Sequence, residues 1–161
     1  GVFVSQGTPF IFCGEEMFRS KLGEKNTYNM PDKYNAIDWS LKSEYSSLVE
    51  FVKGLIAMRK AHPAFSLGTA EAVREHLSFI EVENEAAVGF VLDNLEGIDS
   101  AKRIVVLLNG SREGVEFTIP EGNYKWLSDG TTVVAEGMGS LPVDDGKFAV
   151  SPVTGVVLAE Y

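Results

Sequence analysis

The sequence predicts a mostly β chain: an antiparallel β-sandwich over roughly residues 70–161, preceded by one strand, a long loop and one helix. Three observations carry this. Eight short apolar segments separated by turn signals follow residue 75, the pattern of a sandwich. Before them, a single clear helical period runs over 47–61. The charge balance also shifts near residue 70. Residues 1–75 hold nine basic and nine acidic side chains, whereas 76–161 hold five and fourteen, so the whole net charge of −9 lies in the second part.

The elements follow in order. Val2-Phe3-Val4 and the run Phe10-Ile11-Phe12-Cys13, held between Pro9 and Gly14, read as a strand buried on both faces. Such strands belong to parallel sheets covered by helices. A lone one lacks a partner, so its sheet is expected elsewhere in a longer chain or in a second copy. The opening Gly1 and the missing basic leader give the same impression of a piece cut from something longer. Residues 14–40 show no period, but Tyr28, Tyr34 and Trp39 argue for a packed functional loop rather than disorder. Ser47 and Glu50 have capping-box spacing. Apolar positions 48, 51, 52, 55, 56 and 58 then make a helical stripe, and Pro63 ends it. Gly54 sits within that helix at a cost of about 1 kcal/mol relative to Ala, for which a close backbone approach is one reason. The expected strands are His76–Val82, Ala86–Leu92, Ile104–Leu108, Val115–Ile119, Tyr124–Leu127, Thr131–Ala135, Lys147–Val150 and Gly155–Tyr161.

Composition excludes several classes. Apolar residues at 45% and charged residues at 23% are ordinary for a globular domain. No apolar run reaches membrane-spanning length. The net charge of −9 argues against nucleic acid, whose phosphates require Lys and Arg. A single cysteine, Cys13, forbids an intrachain disulfide and reads as an inert core residue. No cofactor is expected. His62 and His76 have no acidic or Cys cluster at ligand spacing, so no metal is expected either. His62 reads as a side chain that caps carbonyls at the helix end. Cytoplasm and secretion fit this composition equally.

The first 65 residues resemble a known family. Gly7-Thr8-Pro9-Phe10 followed by Gly14-Glu15-Glu16 resembles the eighth barrel strand of the α-amylase superfamily, glycoside hydrolase family 13. Phe18-Arg19-Ser20-Lys21, Asn26-Thr27-Tyr28-Asn29, Pro31-Asp32 and Asn35-Ala36-Ile37-Asp38-Trp39 resemble the loop after that strand in type I pullulanases. Lys53–Phe65 resembles their last barrel helix. The strand-rich remainder is similar, by pattern and position, to the β-sandwich that closes amylase-type chains.

The resemblance implies that 1–65 is the terminal strand–loop–helix of a truncated (β/α)₈ catalytic barrel and 70–161 the C-terminal sandwich. It implies a parent that hydrolyses α-1,6 linkages of pullulan, starch or glycogen with retention, through two carboxyl groups about 5–5.5 Å apart. In this family those groups, and a third carboxylate that assists, end the fourth, fifth and seventh barrel strands. None of these strands is present, so no catalytic residue carries over and the fragment alone is expected to be inactive. α-Glucan is the implied partner. Self-association through residues 2–13 is a further expectation, because an apolar strand with unpaired backbone invites pairing. The alternative covering for that segment is the helix over 47–61 with the sandwich. A non-catalytic carbohydrate-binding module and a purely structural sandwich stay open for 70–161.

The candidate substrate-binding residues are Glu15, Glu16, Arg19, Lys21, Asn26, Tyr28, Asn29, Asp32 and Asn35. Planar polar side chains suit sugar hydroxyls, an aromatic face suits the C–H surface of the ring, and barrel loops build the site. The competing reading is a self-packed loop whose Asn and Asp satisfy its own backbone. Glu15 and Glu16, as neighbours on a strand, would point to opposite faces and could not easily flank one bond. Asp38-Trp39 reads as an anchor before the helix. Asn109-Gly110-Ser111 matches a glycosylation sequon, but Asn-Gly also makes a turn, and the turn is the preferred reading. Tyr124 and Trp126 alternate on one strand face, as either a sugar platform or a core stripe.

Overall fold

All eight expected strands are present in the computed structural model, which describes residues 1–161. They are β1 (Leu77–Ile80), β2 (Ala87–Leu92), β3 (Arg103–Asn109), β4 (Val115–Thr118), β5 (Gly122–Ser128), β6 (Val133–Val143), β7 (Lys147–Val150) and β8 (Thr154–Glu160). The helices are α1 (Asp32–Asn35), α2 (Leu41–Glu44), α3 (Ser46–Ala61) and α4 (Ala70–His76). A wholly antiparallel six-stranded sheet has the order β1-β2-β3-β8-β5-β6, and β4 pairs with β7 in a separate two-stranded sheet.

The large sheet is buried on both faces, and alternation along its central strands shows how. Ile104 and Val106 of β3, with Val157 and Ala159 of β8, join Met58, Ala64 and Phe65 in one core. Val105 and Leu107, with Val156 and Leu158, point the other way, into a second core with Phe117, Tyr124 and Val150. Successive side chains of a strand face opposite sides. The runs Ile104–Leu108 and Val156–Ala159 are therefore apolar without a break because each face has its own cover.

Packing also explains Gly54. A Cβ there would meet Val133 Cβ at 2.8 Å, so the last half of α3 approaches β6 too closely for any side chain. Asn109 closes the β3–β4 turn from a buried position. Its Nδ2 donates to the carbonyls of Glu113 (2.7 Å), Ser151 (3.0 Å) and Val150 (3.1 Å). The sequon asparagine is thus a turn residue with a fully used amide.

Several expectations are corrected. Residues 2–13 form no strand. A strand without ladder partners leaves its backbone groups unpaired, and here they find other partners. Val4 and Ser5 donate to the Gly1 carbonyl. Arg59 donates to the carbonyls of Phe3, Ser5 and Gly7. Gln6 bridges the Ala64 carbonyl (2.7 Å) and the Leu67 amide (3.1 Å). Val4 is buried in the core that holds Met58 and Phe65. Cys13, expected in the core, is exposed for the same reason. The capping box does not form: α3 begins at Ser46, its Leu48 and Val49 amides donate to the Tyr45 carbonyl, and Glu50 pairs with Lys53. Helix α4, capped by Thr69 Oγ1 on the Ala72 amide, is too short to show a period and was not expected. His76 therefore ends a helix rather than opening a strand, and the expected strand Thr131–Ala135 is the beginning of the longer β6.

The chain divides into two compact units. One comprises Gly1–Pro9 with Gly54–Tyr161, and the other is Phe10–Lys53.

Candidate functional site

In the Phe10–Lys53 unit, the polar loop is tied around Asn35. Its Nδ2 donates to the Thr27 and Met30 carbonyls, both at 2.7 Å. Its Oδ1 accepts from Lys21 Nζ at 2.7 Å. Its backbone carbonyl accepts from Arg19 Nη2, while Arg19 Nη1 donates to the Cys13 carbonyl at 3.1 Å. The Arg19 and Lys21 cations both lie over the Phe12 ring, 5.0 and 5.4 Å from its centre. Partial desolvation, and the charge of Arg19 beside it, push the Lys21 pKa down.

Gly14 makes this fit possible. It has φ of 99°, and a Cβ there would lie 2.6 Å from Arg19 Cδ. Its amide donates to Glu16 Oε2 at 2.9 Å.

The predicted residues therefore separate by role. Glu16, Arg19, Lys21 and Asn35 are half-buried, and each binds the loop's own groups. Glu15, Asn26, Tyr28, Asn29 and Asp32 are exposed. Tyr28 stands on the turn that Asn35 fixes and is 83% exposed, with its ring open to an incoming ligand. Asp38 accepts from the Ser40 amide (3.0 Å) and hydroxyl (2.6 Å) ahead of the short α2 rather than of the expected helix, α3. Trp39 is exposed and anchors nothing.

In the other unit, Tyr124 and Trp126 are core residues. Tyr124 is fully buried with its hydroxyl on the Pro120 carbonyl (2.7 Å), and Trp126 packs on Phe148. Neither can serve as a sugar platform. His62 is more than a helix-end cap. It is buried, with Nδ1 2.8 Å from Asp99 Oδ1 and Nε2 2.8 Å from the Ala135 carbonyl. Both ring nitrogens face acceptors, which calls for the doubly protonated imidazolium. Burial alone would lower its pKa. The Asp99 bond, the Ala135 carbonyl and the charges of Asp99 and Glu136 outweigh that and raise it. The only signal in the sequence was a His just past a helix, and its partner lies 37 positions away.

The chain thus combines an antiparallel β domain with a separate polar loop unit that carries exposed aromatic residues. Comparison with known proteins gives this combination a family. Residues 73–132 match the family described as "Pullulanase, all-beta domain". Pullulanase from Bacillus subtilis (strain 168) is 35% identical over 129 residues, covering 80% of this chain and 18% of that protein. The structure of pullulanase from Bacillus acidopullulyticus superposes with a TM-score of 0.88 at 31% identity, covering 99% of this chain and 19% of the other. Type I pullulanase from Bacillus subtilis, solved with maltose, gives 0.87 at 31% identity, over 99% of this chain and 22% of the other. Other relatives are named isoamylase and glycogen debranching enzyme. The chain belongs to the pullulanase-type enzymes of glycoside hydrolase family 13, as a C-terminal part that includes their all-beta domain. It spans about a fifth of the length of the relatives it matches.

Proposed function

We propose that this chain completes a debranching hydrolase that cleaves α-1,6-glucosidic bonds with retention, and that its Phe10–Lys53 loop contacts the glucan. In this reading residues 1–65 are the terminal strand–loop–helix of the catalytic barrel, and 70–161 form the domain that closes it. The carboxylates that break the bond belong to barrel strands outside 1–161, so the chain alone has no hydrolytic activity. Residues 8–13 gain their strand only against a neighbouring barrel strand, which would supply the ladder bonds they lack here.

The observation that supports the loop's role most directly is the Asn35 clamp. Hydrogen bonds at 2.7 Å to Thr27 and Met30 preset the turn that carries Tyr28 and Asn29. A preset turn loses little entropy on binding. Asn35, Lys21 and Arg19 then act as positioning residues, while Tyr28, Asn29, Asn26 and Asp32 are the contacts. Glu15 and Glu16 take no part in bond cleavage.

The test is a graft. Residues 1–161 replace the corresponding stretch of the Bacillus subtilis pullulanase, and pullulan hydrolysis is followed. Activity in the graft, with KM raised by Tyr28→Ala and Asn29→Ala, is the expected result. A folded but inactive graft overturns the proposed class. An active graft whose KM ignores both substitutions overturns the loop assignment.

A further inference from the structure

A second polar recess lies in the β unit, remote in sequence from the Tyr28 turn. It measures about 250 Å³ and is lined by Lys102, Asn123, Lys125, Ser140, Glu160 and Tyr161. The large sheet builds it. β5 pairs with β8 on one side and with β6 on the other, which sets Asn123 beside Ser140 and both beside the end of β8. Gly122 leaves room for the Glu160 side chain, since a Cβ there would stand 2.9 Å from its carboxylate.

The chemistry of the lining is mixed. Ser140 Oγ donates to Asn123 Oδ1 at 2.8 Å, which leaves the Asn123 amide hydrogens without a partner in the chain. The Glu160 carboxylate accepts from Lys102 (3.0 Å) and Arg103 (3.1 Å), and Arg103 also pairs with Asp93 (2.9 Å). Lys125 has no carboxylate partner. Its ammonium sits 5.0 Å from the centre of the Tyr161 ring, and Tyr161 is 44% exposed. Hydrogen-bond donors and acceptors therefore flank a part-exposed aromatic ring under the Lys125 ammonium, while Lys102 and Arg103 are compensated by Glu160. That combination suits a neutral polyhydroxyl ligand. An apolar ligand would strand the amide and ammonium.

We propose that this recess is a second α-glucan site, in which a glucose unit lies on Tyr161 and bonds to Asn123 and Ser140. Lys125 leaves the ring face and joins the hydroxyl contacts when sugar enters. The choice of glucan rests on the proposed function, whereas the recess itself does not.

The experiment is an amide chemical-shift titration of the ¹⁵N-labelled chain with maltotriose, with inorganic phosphate in parallel. Maltotriose is expected to shift the Asn123, Lys125, Gly139, Ser140 and Tyr161 amides. Tyr161→Ala should weaken that set by about two- to tenfold, the range of one stacking contact. Asn123→Ala, an exposed change that cannot unfold the sheet, should weaken it as well. Tyr28→Ala should leave this set intact and remove only shifts around Thr27–Met30, so failure of either site is told from failure of the other. No shift in the recess at saturating maltotriose overturns the proposal. So does an unchanged affinity in both recess variants, or a response to phosphate but not to sugar.

Discussion

Asp99→Asn tests the pairing at the centre of the β unit. The Asp99 carboxylate is fully buried and accepts from His62 Nδ1 (2.8 Å), the Ala101 amide (2.9 Å) and the Ala64 amide (3.1 Å). It thus ties the end of α3 to the loop between β2 and β3, while His62 reaches the β6 carbonyl of Ala135. Asparagine keeps one acceptor but turns an NH₂ group on a neighbouring donor and leaves the imidazolium without its counter-charge. Breaking a buried pair from one side costs about 3–5 kcal/mol. The retained oxygen places Asn at the low end, about 3 kcal/mol, which for a chain of this length lowers Tm by about 6–12 °C. The pH dependence gives the sharper reading. His62 has a raised folded pKa, so its contribution is complete below the unfolded value of about 6.5 and is lost as pH rises through the folded value. Asp99 has a lowered folded pKa, because its bonds to His62 and two amides outweigh burial, so its share fades only as pH falls through that value. The gap between the wild type and Asp99→Asn should be widest from about pH 4 to 6.5 and narrow as pH rises through the raised His62 value. Urea unfolding followed by Trp126 fluorescence in a Trp39→Phe background measures it. A gap below about 1 kcal/mol at about pH 6, or one that widens as pH rises above about 6.5, refutes the reasoning.

Three further substitutions follow from the same geometry. Gly54→Ala should destabilise by up to about 2 kcal/mol in urea unfolding, because overpacking against Val133, about 1–3 kcal/mol, offsets the gain of about 1 kcal/mol in helix propensity. Asn109→Ala should cost about 3 kcal/mol, since the carbonyls of Glu113, Val150 and Ser151 lose their donor together; thermal unfolding reads this directly. Asn35→Ala should raise amide exchange across Thr27–Met30 by at least about tenfold, because two carbonyl clamps are lost at about 0.5–1.5 kcal/mol each.

What could be read from the sequence depended on the range of the forces involved. β2, β3 and β8 were legible because their apolar runs are short, bounded by turns, and demanded by burial on both faces. Gly54 showed its purpose in outline, as a helix interior that tolerates no side chain, though only packing identified Val133 as the reason. The strand expected over 2–13 failed because strand formation is a property of pairs. Its residues carry the right composition, but the carbonyls of Phe3, Ser5 and Gly7 bind Arg59 where no ladder partner stands. The His62–Asp99 pair was invisible because it joins residues whose local sequences signal only a helix end and a loop.

The same distinction sorts the polar loop. Sequence can place nine polar and aromatic residues together but cannot tell which of them already have partners. Arg19, Lys21 and Asn35 look most like ligand-binding groups by charge and planarity, yet their hydrogen bonds hold Cys13, Thr27, Met30 and one another. A group with satisfied bonds gains little by exchanging them for a sugar hydroxyl. Tyr28 and Asn29 combine a fixed backbone with free side chains, and the Asn123–Tyr161 recess repeats that arrangement on the sheet. A rigid frame that carries an exposed aromatic ring and an amide without a hydrogen-bond partner is the common feature of both places, and it distinguishes them from the bonded charged groups beside them.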